Sequence, residues 1–114
     1  MKAPIQPTRF LSNSLSLMLF VLLSTTFALG ARGEVTHKQS GCDYFVVATP
    51  AGYDLLEWYG GYDPDKGDFL VGKFETYGMQ DIYDQTADDN LRVWVEDYWL
   101  SKEDALEQLV EHCE

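Results

Sequence analysis

Two cysteines, Cys42 and Cys113, stand far apart in this chain of 114 residues, and joining them would constrain its fold more than any other feature. In a secreted protein, two cysteines near the ends of one domain most simply form a disulfide. A metal site is the weaker interpretation, because only His37 and His112 could complete a Cys/His ligand set. The disulfide would close a loop of about 70 residues, which the chain-entropy model rates at about 4 kcal/mol of stability.

Residues 1–30 indicate such a secreted protein, because they combine a basic start with an apolar stretch. The strongly apolar part, residues 15–23, is far shorter than the roughly 20 residues that a membrane-spanning helix needs. With small residues around the end of this stretch, the pattern predicts a signal peptide that is cleaved after Gly30, or alternatively after Gly33. The expected location of the mature protein is periplasmic or secreted.

The mature segment is strongly acidic and short enough to form one domain. Residues 31–114 contain six Lys or Arg and all 19 Asp or Glu of the chain, which gives them a net charge of −13 with His neutral. Such a charge argues against nucleic acid as a partner, since phosphates require a basic surface. It also disfavours an anionic membrane surface, and no stable membrane insertion is expected after cleavage. It favours a cationic protein or peptide as the partner.

Residues 42–114 show the pattern of five antiparallel strands followed by one helix. Apolar, β-branched and aromatic runs alternate with turn residues, and the predicted strands are DYFVVATP, YDLLEWY, DFLVGKFE, MQDIYD and LRVWVEDY. Ser101 is the expected N-cap of the helix. The helix has an apolar stripe that should face the sheet. Its members are Ala105, Leu106, Leu109, Val110 and Cys113.

These elements favour a small α+β domain. We expect the five-stranded sheet to curl into an SH3-like or OB-like partial barrel, with the helix over an open end. Because Cys113 lies on the helix stripe, it should meet the sheet that begins just after Cys42, which supports the disulfide. Residues 31–41 are small and polar, and they are predicted to form a flexible arm outside the domain of residues 42–114.

The stretch YGGYDPDKGD, residues 59–68, could be a calcium loop or a turn. Asp63 and Asp65 fit the first and third ligand positions of a helix-flanked calcium loop, but Asp68 stands where that loop requires glycine. Pro64 and Gly67 instead have the backbone preferences of a turn. The stretch is therefore predicted to be a hairpin turn between two strands, without a metal site.

The run GYDLLEWYGGYDPDKGDFLVGKFETYG, residues 52–78, resembles small secreted bacterial proteins of unassigned function with an SH3-like small β-barrel. The shared residues are turn glycines and strand aromatics. The resemblance implies a common fold for this part of the chain, and it implies no activity.

Two surfaces are candidates for binding. An aromatic platform could form from side chains that alternate outward on the strands, although such residues also serve simply to pair across a sheet. Its members are Tyr53, Tyr59, Trp94 and Tyr98. An acidic face of the helix could dock a cationic partner, although an exposed helix in an acidic protein is also expected to be acidic. Its members are Glu103, Asp104, Glu107 and Glu111.

Catalytic residues are not indicated. The chain lacks a convincing nucleophile and base pair, because its cysteines are expected to be bridged and His112 lies at a helix end. No metal or other cofactor is expected. The sequence favours a non-enzymatic secreted or periplasmic interaction module that binds a protein, peptide or glycan. The alternatives are an inhibitor or chaperone-like partner of a basic exported protein, and a small carboxylate-based hydrolase.

Overall fold

The structure is a computed structural model that describes residues 30–114, so the predicted signal peptide lies outside the described residues except for Gly30. Within this range the chain forms six strands and one helix. In chain order they are β1 (Ala31–Lys38), β2 (Tyr44–Thr49), β3 (Gly52–Gly61), β4 (Phe69–Gly72), β5 (Gly78–Asp84), β6 (Asp89–Leu100) and α1 (Lys102–His112). The described part of the chain contains no helix that is long and apolar enough to cross a membrane.

The strands form a closed antiparallel barrel in the order β1-β2-β3-β6-β5-β4. Pairing of β1 with β4 closes it. The α+β class is therefore confirmed, but the predicted five-stranded partial barrel is wrong, because the sheet has a sixth strand and no open edge. A closed sheet satisfies the backbone hydrogen-bonding groups that an edge strand would leave unpaired.

The additional strand is β1, which occupies most of the segment predicted to be a flexible arm, residues 31–41. It pairs with β2 on one side and with β4 on the other. Gly33 and Val35 are buried at alternate positions, and a Cβ at Gly33 would lie 2.6 Å from the carbonyl oxygen of Ala48. Residues 31–38 therefore belong to the barrel domain, which was predicted to begin at Cys42. Pairing with two neighbouring strands forms β1 although its local sequence pattern is weak.

The interior of the barrel is filled by apolar side chains from all six strands and from the loop after β4. These are Val35, Phe45, Val47, Leu56, Leu70, Phe74, Ile82, Leu91, Val93 and Val95. In β6 the alternate residues Leu91, Val93 and Val95 all contribute to this interior. The side chains at the intervening strand positions point to the outer face of the sheet.

Helix α1 packs on that outer face rather than over an open end. Val46 and Leu55, from β2 and β3, form a second buried cluster with Ala105 and Leu109 of the helix. Val110, predicted to be on the buried stripe, is 56% exposed. The buried stripe of the helix is narrower than predicted because α1 packs mainly against the outer face of two strands, which contact a small part of the helix surface.

The start of the helix and the disulfide near its end agree with the sequence-based predictions. The N-cap is Ser101, whose hydroxyl accepts a hydrogen bond from the backbone N–H of Asp104 at 3.1 Å. At the other end the predicted disulfide is confirmed between Cys42 and Cys113, with a Cα–Cα distance of 5.4 Å. The disulfide ties the end of the chain to the residues that precede β2.

The stretch at residues 59–68 does turn the chain, but the predicted hairpin is wrong. It leads from β3 to β4, and these strands are not neighbours in the barrel. The backbone N–H of Gly67 donates to the carbonyl oxygen of Val35 at 2.8 Å, and the backbone N–H of Val35 donates to the carbonyl oxygen of Asp68 at 2.9 Å. The connection therefore extends the contact between β1 and β4 instead of linking two adjacent strands.

Candidate functional site

An irregularity in the pairing of β3 with β6 displaces Trp99. In this ladder Leu55 pairs with Asp97, and the next pair is Tyr53 with Leu100. Between the two pairs β3 has one residue and β6 has two, which is the arrangement of a β-bulge. Bulges redirect side chains and are frequent beside functional sites.

The backbone of Trp99 is left-handed, with φ of +59°. This conformation costs an L-residue other than glycine about 1–2 kcal/mol. Two features of β3 hold it in place. The carboxylate of Asp54 accepts the backbone N–H of Trp99 at 3.0 Å, and Gly52 lies against the same peptide. A Cβ at Gly52 would come within 3.0–3.1 Å of backbone atoms of Trp99 and Leu100.

Asp54 is an unusual support, because its carboxyl group is fully buried. One oxygen accepts the N–H of Trp99, and the other, Oδ2, has no hydrogen-bond partner. Burial raises the pKa of Asp54 to about 7, and the nearby carboxylates Glu75 and Asp97 add to the rise, whereas the bond from Trp99 opposes it. The buried carboxyl group of Asp54 therefore destabilises the fold, and it lies where it positions the backbone of one exposed tryptophan.

Three aromatic rings meet at this bulge, and we call them the Trp99 cluster: Tyr77, Tyr98 and Trp99. The ring centroids of Tyr77 and Tyr98 are 4.7 Å apart, and those of Tyr98 and Trp99 are 5.1 Å apart with perpendicular planes. Tyr77 and Trp99 are each 61% exposed, and Tyr98 lies between them, partly buried against the barrel interior. The cluster presents apolar aromatic surface to solvent on a firmly packed base.

Asp97 connects the Trp99 cluster to the helix. Its Oδ1 accepts the hydroxyl of Tyr77 at 3.2 Å and the backbone N–H of Tyr98 at 2.9 Å. Its Oδ2 accepts the side-chain amide of Gln108, in α1, at 3.1 Å. The bond to Asp97 raises the pKa of Tyr77, so this phenol stays neutral. The carboxylate of Asp97 thus joins the loop of Tyr77, strand β6 and helix α1 by hydrogen bonds.

No protein-family model, curated protein or solved structure matches this chain. Function is therefore inferred from its own residues. The Trp99 cluster is the strongest candidate, because it combines exposed aromatic rings, a left-handed backbone and a buried carboxyl group in one place.

The four residues of the predicted aromatic platform differ in their exposure. Tyr59 and Trp94 are exposed, whereas Tyr53 packs against the cluster beneath the helix and Tyr98 against the barrel interior. Within residues 30–114, the ring contacts of Tyr98 are with Tyr77 and Trp99 rather than with other platform members. Tyr98 therefore belongs both to the predicted platform and to the Trp99 cluster, whose other two rings, Tyr77 and Trp99, the sequence analysis did not select.

The predicted acidic face of the helix is exposed as a whole. Its members Glu103, Asp104, Glu107 and Glu111 are all solvent-accessible. Asp104 is one turn from Gln108, the residue that contacts Asp97, so the acidic face adjoins the Trp99 cluster on one side. The face supplies negative charge at the protein surface.

A second site of interest contains two buried carboxyl groups, Asp68 and Asp84. Asp84 accepts the backbone N–H of Ala87 at 2.9 Å through Oδ1, and burial together with the adjoining Asp68 raises its pKa. Such a pair is what a carboxylate-based hydrolase would need. Neither residue lines the surface groove of about 580 Å³ beside Tyr59 and Arg92.

Calcium is expected to leave the stability of the protein nearly unchanged. The carboxylate of Asp63 binds Lys38, and the carboxylate of Asp65 lies 3.5 Å from the hydroxyl of Tyr62, so both carboxylates already have a partner. Among the described residues no group of three or more His, Cys, Asp or Glu side chains is arranged to hold a metal ion. We expect millimolar Ca²⁺ to change the melting temperature by less than about 1 °C.

The measurement is thermal unfolding with Ca²⁺ and with a chelator. A saturable rise of several degrees that disappears in the double variant Asp63→Asn, Asp65→Asn would contradict this prediction and restore the calcium-loop interpretation.

Proposed function

We propose that this protein is a non-enzymatic interaction module of the periplasm or the extracellular space, and that the Trp99 cluster is its binding surface. The disulfide supports an oxidising compartment. The observation that carries the proposal is the exposure of Trp99 on a left-handed backbone that is held by the buried carboxylate of Asp54.

Stability alone does not account for this arrangement. A solvent-exposed tryptophan gains little from burial, while its backbone conformation and the desolvated carboxyl beneath it both cost free energy. Residues that are costly to the fold and exposed to solvent are typical of sites that contact a partner. Tryptophan and tyrosine are also enriched among the residues that dominate binding energy at interfaces.

The rigidity of the site supports the same function. Trp99 is fixed through its backbone, Tyr98 is wedged between two rings, and Tyr77 is bonded to Asp97. A surface whose side chains are ordered before binding loses less conformational entropy when a partner is bound. The Trp99 cluster is therefore prepared to bind without rearrangement.

The proposal is tested by removing the indole. In affinity capture from an envelope extract of the source cells, Trp99→Ala should retain less than about a tenth of the partner that the wild-type protein captures, because hot-spot aromatics contribute 2 kcal/mol or more. Captured proteins and glycans are quantified by mass spectrometry. The thermal unfolding of each variant is measured in parallel to show that the barrel is intact.

Trp94→Ala is the matched control, because it removes a second exposed tryptophan of the same strand, β6, away from the bulge. We expect it to capture the same partner as the wild type. Equal losses in both variants would favour the predicted platform over the Trp99 cluster, and capture unaffected by Trp99→Ala would remove the basis of the proposal.

A further inference from the structure

We infer that the ligand of the Trp99 cluster is a cationic side chain, arginine or lysine, exposed on a protein or peptide partner. This inference rests on the proposed function and specifies the chemistry of its ligand. It is carried by the charges that surround the aromatic rings.

Carboxylates adjoin the cluster on several sides. Asp97 is bonded to Tyr77 and lies at the base of the rings. Glu75 belongs to the same loop as Tyr77 and accepts the hydroxyl of Thr49 at 3.4 Å. Asp54 lies beneath the backbone of Trp99. Asp97 and Glu75 make the potential above the rings more negative and therefore repel anionic ligands, whereas Asp54, with its pKa raised to about 7, is fully charged only above that pH.

The rings themselves favour a cation. The negative face of an indole or phenol attracts ammonium and guanidinium groups, and the attraction grows when a carboxylate is nearby and water is displaced. The planes of Tyr98 and Trp99 are perpendicular, and Tyr77 is tilted by 49°, so the cluster offers faces and edges within one small area. Arginine suits this arrangement best, because its planar group can stack on a ring and bond a carboxylate at once.

The protein already contains contacts of this kind elsewhere. The guanidinium of Arg32 lies 4.3 Å from the ring centroid of Phe69, where it also bonds Gln85 at 2.8 Å. Arg92 is paired with Asp81. These two arginines of the described chain are therefore engaged away from the Trp99 cluster.

The direct test is an NMR titration of the isotope-labelled, disulfide-intact protein with the peptide acetyl-Gly-Arg-Gly-Arg-Gly-amide. The indole signal of Trp99 and the ring signals of Tyr77 should shift on binding. The indole N–H of Trp58 donates to the carbonyl of Tyr62 at 3.0 Å inside the fold and should remain unchanged as an internal reference.

The charge requirement is tested with a peptide in which citrulline replaces each arginine, because citrulline keeps the shape and removes the charge. We expect it to bind at least fivefold more weakly than the arginine peptide. Trp99→Ala should weaken the arginine peptide at least fivefold, and Asp97→Asn should weaken it severalfold with a smaller dependence on salt.

The double variant Glu107→Gln, Glu111→Gln is the control, because it removes two charges from the solvent-facing side of the helix. Its affinity for the arginine peptide should stay within about twofold of the wild type. If it loses as much affinity as Trp99→Ala, the acidic helix face is the docking surface and the inference is wrong.

Two other results would also overturn the inference: equal affinity for the citrulline peptide, or no shift of the Trp99 indole with the arginine peptide. The proposed function is judged separately by the capture experiment. Trp99-dependent capture of a partner, combined with failure of the arginine peptide, would leave the Trp99 cluster as a binding surface for a ligand of different chemistry.

Discussion

Breaking the Cys42–Cys113 disulfide is expected to lower the free energy of unfolding by about 4 kcal/mol. The two cysteines are separated by 71 residues, so the disulfide restricts almost the whole unfolded domain. For a domain of this size such a loss corresponds to a fall in melting temperature of roughly 15–30 °C. The oxidised protein should also contain no free thiol when its mass is measured after alkylation.

The comparison uses the double variant Cys42→Ser, Cys113→Ser beside the wild type, each with and without reductant. Reductant should destabilise the wild type and leave the variant unchanged. A loss of less than about 1 kcal/mol would show that the hydrophobic interior alone maintains the barrel, and two reactive thiols in oxidised protein would contradict the disulfide itself.

Asp54→Asn is expected to stabilise the protein more at pH 8 than at pH 4, and the difference between the two values should reach up to about 4 kcal/mol. Burial raises the pKa of Asp54 in the folded protein to about 7, from an ordinary value of 3.8. Between these two values the unfolded chain releases the proton while the folded chain retains it, so wild-type stability falls as the pH rises. Asparagine has no proton to release, and its side-chain oxygen can still accept the N–H of Trp99.

Denaturant unfolding of both proteins at several pH values between 4 and 8 provides the measurement. Other groups with raised pKa values, such as Asp84, are common to both proteins and cancel in the difference. Glu111→Gln, which replaces an exposed carboxyl, is the control and should show little change with pH. A difference between Asp54→Asn and the wild type that is independent of pH would mean that Asp54 is ionised in the folded protein throughout this range.

The disulfide and the role of Asp54 differ in how far the sequence alone could predict them. The disulfide could be predicted because the chain offers only two cysteines and the helix pattern puts Cys113 on an inward face. The role of Asp54 could not be predicted. In the sequence it is one of 19 acidic residues, and only its position among apolar residues of a strand marks it as unusual.

The strands from Tyr44 onward and the helix were recognisable because their signals are local. A β-branched and aromatic run, a turn residue or a helix cap acts through neighbours in the chain, so the sequence alone carries the information. β1 lacks such signals. Its contribution to the barrel comes from pairing with two strands that lie far away in the sequence, and only the closed sheet brings them together.

The sequence by itself determined the α+β class, most of the secondary structure, the disulfide and the acidic character of the surface, because each follows from composition or short-range pattern. Tertiary structure alone decided the closure of the barrel and the position of Trp99. A bulge depends on how many residues two strands place between successive pairs, and the sequence of either strand does not show this. The Trp99 cluster therefore becomes visible only when β3, β6 and the loop that carries Tyr77 are assembled in one fold.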